Sequence, residues 1–161
     1  MRTSAWVALA TVSVAAMSAA EVGADEWYVA AKIGPMIVNR AEVNDPINAG
    51  IQLGHKWTHT VGELGIEAEY TGSVNRGRAE GEDLSVETTT AYGVFRTAGA
   101  VYLKARLGMS SNTVVIGDDS SHGISAAAGA GIGFQVWYLQ LEFAYTRMSQ
   151  DLDFISFSLQ F

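Results

Sequence analysis

Residues 152–161 read Leu-Asp-Phe-Ile-Ser-Phe-Ser-Leu-Gln-Phe, and this stretch decides the fold. Apolar side chains alternate with polar ones along it: Ile155, Phe157, Leu159 and Phe161 against Ser156, Ser158 and Gln160. An extended strand with this period has one apolar and one polar face. In a soluble sandwich we would not expect an aromatic residue with a free carboxylate to finish the apolar row. The stretch therefore predicts a strand whose apolar face meets lipid.

The composition of the chain narrows the function classes. Its 161 residues suit one domain, and its formal charge of -7 argues against a nucleic-acid partner, because no basic surface neutralises phosphates. Cysteine is absent, which excludes disulfides, thiolate metal sites and a cysteine nucleophile. The 17 glycines and 2 prolines favour strands and tight turns over long helices.

The N-terminus has the three parts of a secretory signal. Arg2 precedes an apolar run over 5–17, which the small residues Ser18-Ala19-Ala20 follow. We expect residues 1–20 to be removed and 21–161 to form the mature domain, although cleavage after Ala24 is an alternative. An uncleaved membrane helix is the other interpretation, but the run is shorter than the roughly 20 apolar residues that a span needs.

A period of two dominates the chain after Glu26 and predicts eight strands. Each is near or above the roughly 9–11 residues that cross a bilayer at a tilt. The strands are expected over 27–38, 48–57, 62–75, 84–96, 100–111, 123–134, 136–148 and 152–161. In the fourth strand the assignment of inward and outward faces is least certain. Leu84, Val86, Tyr92 and Val94 form its apolar, outward face, unless a bulge near Ala91 exchanges the inward and outward faces.

The predicted connections alternate in length. Short turns at Thr58, Thr97 and Gln135 alternate with longer loops over 39–47, 76–83 and 112–121, and the last loop, 149–151, is brief. With the N-terminus in the periplasm, the short turns lie there and the longer loops face outside.

Nine charged residues fall well inside these strands, and all are expected on the face opposite the apolar one. They are Lys32, Lys56, Glu63, Glu67, Glu69, Glu87, Lys104, Arg106 and Glu142. A Lys or Arg facing lipid near the bilayer midplane costs about 2–4 kcal/mol, so a bilayer would impose this segregation. The exceptions lie towards strand ends, where they can reach water or headgroups: His55, Arg96, Arg147 and Asp153.

Aromatic residues mark the expected membrane interfaces. Five outward residues at the periplasmic strand ends predict an aromatic girdle: Trp27, Trp57, Phe134, Trp137 and Phe161. Tyr70, Phe143 and Tyr145 are candidates for the outer belt. A soluble barrel with an apolar interior would show the same period of two. The terminal Phe161, the ordered aromatic residues and the low charge content favour an all-β, eight-stranded antiparallel up-and-down transmembrane β-barrel.

Several segments resemble a known family. They are the signal segment, Trp27-Tyr28-Val29 with Lys32 and Gly34, Glu69-Tyr70-Thr71, Phe95-Arg96-Thr97, Tyr102-Leu103-Lys104, the Gly129-Ala130-Gly131-Ile132-Gly133 strand and the closing strand. Across the mature chain these are similar to the small outer-membrane β-barrel domains, of the OmpA-like and opacity-protein type. The resemblance implies a Gram-negative outer-membrane location. It also implies that Phe161 is a signal for the barrel-assembly machinery.

The polar face predicts an ion-pair network inside the barrel. Lys32, Glu67, Glu69, Lys104, Arg106 and Glu142 lie at similar middle heights when counted from the periplasmic ends. The sixth strand offers only Ser, Ala and Gly inward, which leaves room for Arg106 to reach Glu142 across it. Because eight strands enclose an interior that side chains just fill, we expect a closed polar plug. A narrow gated pore is the alternative.

No catalytic, cofactor or metal site is expected. Some eight-stranded barrels act on lipid, using a rim serine and histidine, and His122 beside Ser120, Ser121 and Asp119 is the one rim candidate. A solvated turn is the simpler interpretation of these residues. The acidic rim at Asp118-Asp119 and 80–83 suits solubility, with weak cation bridging to lipopolysaccharide as the alternative. The period-two glycines from 129 to 133 lack the helix and spacing of a dinucleotide site.

These features predict a monomeric barrel with a structural or surface-interaction role. Its expected partners are outer-membrane lipids, lipopolysaccharide and, from the resemblance, the assembly machinery.

Deleting Phe161 should reduce the amount of assembled barrel, because the assembly signal and one girdle ring are lost together. The measurement is the heat-modifiable fraction in fractionated outer membranes. A normal yield of assembled barrel would contradict the predicted role of Phe161.

Overall fold

The computed structural model describes residues 26–39, 43–59 and 61–161. The predicted signal segment lies outside these residues. Within the described ranges, no helix has both the length and the apolar character that a membrane span requires.

The described chain is all β. Its strands are β1 (Glu26–Val38), β2 (Val43–Asn44), β3 (Ile47–His59), β4 (Gly62–Asn75), β5 (Gly77–Ala79), β6 (Glu82–Thr97), β7 (Val101–Ile116), β8 (Asp119–Val136), β9 (Leu139–Arg147) and β10 (Leu152–Gln160). Eight long strands pair in the order β6-β4-β3-β1-β10-β9-β8-β7, and β7 pairs back onto β6. The short β5 pairs with β6 and with β2. The prediction of a closed eight-stranded antiparallel barrel is confirmed.

The C-terminal strand closes the barrel. β10 pairs antiparallel with β1, so that Leu159 lies opposite Ala31 and Phe157 lies opposite Ile33. The Phe161 amide donates to the Val29 carbonyl at 2.9 Å, which carries the ladder to the last residue. Closure leaves no open edge at membrane depth, as lipid requires.

The two ends of the barrel differ. The terminal end carries Glu26, Phe161 and the connections β3–β4, β6–β7 and β8–β9. The loop end carries the connections β1–β3, β4–β6, β7–β8 and β9–β10. Between the ends, outward side chains such as Ile33, Ile66 and Leu107 are exposed, whereas their neighbours along each strand point inward and are buried.

Three predicted connections are wrong. The loop expected over 76–83 contains β5 and a tight turn at Glu80-Gly81, because β6 begins at Glu82. The loop expected over 112–121 is instead a tight turn at Gly117-Asp118, because β7 continues to Ile116 and β8 begins at Asp119. The β-branched run Thr113-Val114-Val115-Ile116 favours an extended strand, so the sequence did indicate that β7 continues through this segment. The turn placed at Gln135 lies at 137–138, so Trp137 belongs to the turn and not to a strand.

The predicted faces of the fourth strand are also wrong. Along β6 the even positions point inward, so Leu84, Val86 and Tyr92 are buried. Glu87 is exposed on the outer face, and Arg96, expected outward, is buried inside. The prediction took the more apolar face of this strand as the outward one. That assumption fails here because the interior is itself apolar near the loop end, while the outer face of β6 carries Thr, Ala and Gly. The other expected exceptions, His55, Arg147 and Asp153, do share the outward parity.

An apolar core fills the interior at the loop end. It is formed by Met36, Val38, Ala79, Leu84, Val86, Met148, Leu152 and Phe154, with Val43, Val114 and Ile116 packed against it. Phe154 belongs to the C-terminal stretch 152–161, but its side chain lies on the inward face of that strand and is fully buried. The barrel therefore has an apolar band outside and a second apolar region inside.

Replacing Phe154 with Ala should lower the free energy of unfolding by about 3–5 kcal/mol, because a cavity replaces a fully buried ring. Urea titration of the refolded barrel in detergent micelles measures this. Phe157→Ala is the matched control: Phe157 lies on the same strand but faces outward, so it leaves no internal cavity and should cost less. Equal losses for the two variants would contradict the inner apolar core.

Candidate functional site

The middle of the interior holds the central ion network: Lys32, Glu67, Glu69, Lys104, Arg106 and Glu142. These residues come from β1, β4, β7 and β9, and all of them are buried. Each lies at an inward position of its strand, between outward apolar neighbours. Three cations meet three carboxylates, so the formal charges of this layer balance.

Each ion pair joins two strands that are separated by one strand in the barrel wall. Lys32 pairs with Glu69, and Lys104 pairs with Glu67 and, at 3.2 Å, with Glu142. Arg106 pairs with Glu142 and lies 3.6 Å from Glu69. The side chains of Lys32, Glu69 and Arg106 are 0% exposed. These three groups are therefore closed off from bulk solvent.

Small residues on β8 make room for this arrangement. Gly129 lies opposite Arg106, and an added Cβ there would sit 3.1 Å from the Arg106 Cγ and 2.7 Å from the Tyr145 carbonyl oxygen. At Gly133 an added Cβ would sit 2.1 Å from the ring of Tyr102. Long side chains of β7 can therefore fold across β8 towards Glu142 on β9. This space was expected from the sequence, because the inward positions of the predicted sixth strand hold only Ser, Ala and Gly.

Tyrosines line the network, and sequence reasoning did not assign them to it. The Tyr28 hydroxyl donates to Glu67, and the Arg106 guanidinium lies 5.6 Å from the Tyr92 ring centroid. Tyr28 lies on the same face of β1 as Lys32, so the alternation of the strand could have predicted that it points inward. Tyr92 was missed because the faces of its strand were assigned in reverse.

A second polar layer lies at the terminal end, around Arg96. Its guanidinium pairs with Glu63 at 3.4 Å, bonds to Gln140, and donates to the Gln135 side-chain oxygen at 3.0 Å. Its other face stacks on Tyr102, 3.7 Å from the ring centroid. Lys56 pairs with Glu63 at 3.6 Å and with Glu26 at 3.1 Å. This layer adds the misassigned Arg96 to the charged interior.

Hydroxyl and amide groups bridge the network to the apolar core. The Asn48 amide donates to Thr71 at 3.2 Å, and Thr71 is 2.9 Å from Thr88. Between the adjacent strands β6 and β7, the Thr90 and Ser110 hydroxyls are 2.8 Å apart. From the terminal end to the loop end, the interior thus passes from ion pairs to neutral hydrogen bonds and then to apolar packing.

Space inside the barrel is found at the terminal mouth. A cavity of about 430 Å³ there is lined by Glu63, Arg96, Gln135 and Trp137 among others. A space of only about 10 Å³ lies deeper, beside Tyr28, Lys104 and Glu142. Such a space holds about one water molecule and no larger solute. The interior therefore narrows to closure at the central ion network.

The five predicted girdle residues all lie at or near the terminal end. Four of them occupy outward positions, whereas Trp137 lies in a turn and lines the cavity at the mouth. Trp27, Phe134, Trp137 and Phe161 are exposed, and Trp57 is partly buried against its neighbours. His55 lies between Trp27 and Trp57, with ring centroids 4.6 and 4.7 Å away. Trp137 adopts a φ of 56° in its turn, a left-handed conformation that is uncommon for a bulky residue.

The rim histidine is part of the β7–β8 hairpin. His122 Nδ1 lies 3.2 Å from the Thr113 hydroxyl, and both residues are in exposed strand segments. Among the described residues, no group of three or more His, Asp or Glu side chains is arranged to hold a metal ion.

Comparison with known proteins agrees with this architecture. The family model for the outer membrane protein beta-barrel domain matches residues 6–161. No curated protein sequence is similar enough to count as a relative. Neisserial surface protein A, a solved structure, is 16% identical with a TM-score of 0.55, covering 83% of this chain and 95% of that one. Ail, the attachment invasion locus protein of Yersinia pestis, is 17% identical with a TM-score of 0.55, covering 86% and 95%.

The same fold also occurs in an enzyme. The outer membrane enzyme PagL is 16% identical with a TM-score of 0.51, covering 83% of this chain and 97% of that one. At these identities the structural likeness establishes the fold alone. The family match spans nearly the whole chain and agrees with the closed eight-stranded barrel. This chain therefore belongs to the outer membrane protein beta-barrel domain family, whose members are integral proteins of the Gram-negative outer membrane.

Proposed function

We propose that this protein is a closed, non-conducting barrel that presents its loop end at the cell surface and has a structural or surface-interaction role. The observation that carries the proposal is the sealed interior: the Lys32, Glu69 and Arg106 side chains are 0% exposed. Above them, the apolar core fills the loop end. A solute would have to displace both layers to cross.

The orientation is part of this proposal. The girdle rings cluster at the terminal end, where amphipathic side chains favour the membrane–water interface. We place this end in the periplasm and the loop end outside, in contact with lipopolysaccharide. The exposed apolar band between the ends contacts the lipid chains, and the barrel needs no second copy to complete its ladder, which supports a monomer in the membrane.

The ion network acts as a structural cross-brace in this proposal. A buried charge that loses its partner typically costs 3–5 kcal/mol, because it remains desolvated without compensation. Arg106 contacts both Glu69 and Glu142, so it ties β7 to β4 and to β9. The network thus holds the walls together, whereas the surface-interaction role belongs to the loop end.

We further propose that the protein is not an enzyme. His122 faces the Thr113 hydroxyl within its own hairpin, on an exposed β-ribbon. A lipid-modifying activity would need a rim nucleophile, its base and a groove for the acyl chain. Incubation of the purified protein with lipid A should release no acyl chains; release would overturn this part of the proposal.

A gated pore is the alternative function, and the cavity at the terminal mouth favours it. That cavity reaches Glu63 and Arg96 from the periplasmic side and stops below the central ion network. If the ion pairs rearranged and the apolar core opened, the lumen could conduct.

Planar bilayers distinguish the two functions. We expect the purified wild-type barrel to be electrically silent, and Arg106→Ala to remain silent because the apolar core still closes the loop end. A rise in single-channel conductance in Arg106→Ala would instead support the pore, since it would show that the ion pairs form the only barrier.

Replacing Arg106 with Met should lower the free energy of unfolding by about 3–5 kcal/mol, because Glu69 and Glu142 lose a buried partner. Arg147→Met is the matched control: the Arg147 side chain is 59% exposed in its pair with Asp153, and exposed ion pairs contribute about 0–1 kcal/mol. Urea titration in micelles measures both. Similar values for the two arginines would show that the central network does not brace the barrel.

A further inference from the structure

At the loop end, β8 extends beyond the end of its neighbour β9. The β8–β9 ladder reaches only Ala128 opposite Arg147, whereas β8 pairs with β7 all the way to Asp119. Ser125 still touches the end of β9 through a bond from its hydroxyl to the Met148 carbonyl. Beyond it, residues 119–124 pair with β7 alone in the described part of the chain. We name these six residues the upper edge; they span about 20 Å at roughly 3.3 Å per residue.

Part of the usual protection against strand pairing is missing from the upper edge. An exposed edge presents unpaired N–H and C=O groups, which natural proteins commonly blunt with Lys, Pro or a bulge. The upper edge reads Asp-Ser-Ser-His-Gly-Ile and contains neither Lys nor Pro. The register with β7 is continuous from Ile116–Asp119 down to Ser111–Ile124, without a bulge. All six residues are exposed.

We propose that the upper edge pairs antiparallel with the upper edge of a second copy in an apposed outer membrane, so that the protein joins two cells through a continuous β-sheet. This inference rests on the proposed function, since it needs the loop end to face outside. The partner is identified by symmetry and by charge.

Symmetry decides where the second copy must be. Two identical antiparallel strands in one sheet are related by a two-fold axis perpendicular to that sheet. In a barrel wall this axis is radial and lies in the plane of the membrane, so the rotation inverts the second copy relative to the first. Copies in one membrane are related by rotation about the membrane normal, which preserves the direction of β8. Antiparallel pairing of upper edges is therefore possible only across two apposed membranes.

Charge favours the same arrangement. Asp118 and Asp119 lie at the top of the hairpin, and Arg147, where β9 ends, lies opposite Ala128, four residues below the last residue of the upper edge. The Arg147 side chain is 59% exposed although its Nε donates to Asp153 at 3.0 Å. Antiparallel pairing brings the acidic tip of each copy towards Arg147 of the other. A parallel arrangement would place the two acidic tips side by side.

A cysteine cross-link tests the proposal, because the natural chain contains no cysteine. Two vesicle populations carry full-length His122→Cys barrels with different affinity tags, are mixed, and are oxidised. His122 lies in the middle of the upper edge, so paired edges bring the two thiols together, and disulfide-linked dimers containing both tags are expected. Thr113→Cys is the matched control. Thr113 lies opposite His122 on β7 but is flanked by β6 and β8, and should give at least tenfold fewer mixed dimers.

Charge exchange provides a second measurement. Vesicles with Arg147→Glu should cluster more slowly than wild type, and mixing them with vesicles carrying Asp118→Arg and Asp119→Arg should restore clustering. Heat-modifiable gel mobility checks that every variant has folded. Dispersed wild-type vesicles, mixed dimers at equal yield in Thr113→Cys, or dimers confined to one population would each overturn the inference.

Labelling of His122→Cys on intact cells with a membrane-impermeant maleimide separates this inference from the proposed function. A labelled thiol without mixed dimers would refute the pairing of upper edges and leave the orientation intact. An unlabelled thiol in a folded barrel would refute the orientation, and with it both proposals.

Discussion

The pairing of β10 with β1 is the interaction on which the rest of the structure depends. In hydrocarbon an unpaired backbone group costs several kcal/mol, so a sheet survives there only when its last strand meets its first. The ladder from Val38–Leu152 to the Val29–Phe161 bonds closes the ring, with an interruption at Gly34 and Pro35. Closure also separates two environments, lipid outside and a sealed interior inside, and this separation determines where each side chain can lie.

Charge segregation follows from that separation. The lipid-facing wall excludes charge near the midplane, so the central ion network has to share the interior of a narrow barrel. Three cations and three carboxylates at that height neutralise one another, and Arg106 connects two of the carboxylates. Closer to the loop end, neutral hydrogen bonds and then the apolar core replace ion pairs. The interior is therefore graded, with its most polar contacts at and below its centre.

The loop end departs from the symmetry of the barrel and gives the protein its individual features. The β7–β8 hairpin continues past the end of β9 because β-branched residues 113–116 maintain an extended strand up to the Gly117-Asp118 turn. The result is a β-ribbon with one free side above a closed barrel. The ribbon and the acidic residues at its tip lie within the part of the chain that the family model matches.

Sequence alone predicted the strand number, the closed topology, an outward apolar band and the members of a central ion network, because these predictions follow from a period of two and from the cost of charge in lipid. Arg106 and Glu142 could be matched from the inward row of small residues between them. Only the tertiary structure decided the faces of β6, the inward position of Arg96, the inner apolar core and the free upper edge. An apolar side chain such as Leu84 fits either lipid or an apolar interior, so alternation fixes which residues share a face but not which face points inward. That choice comes from strand register around the closed ring, which depends on pairing between residues far apart in the chain.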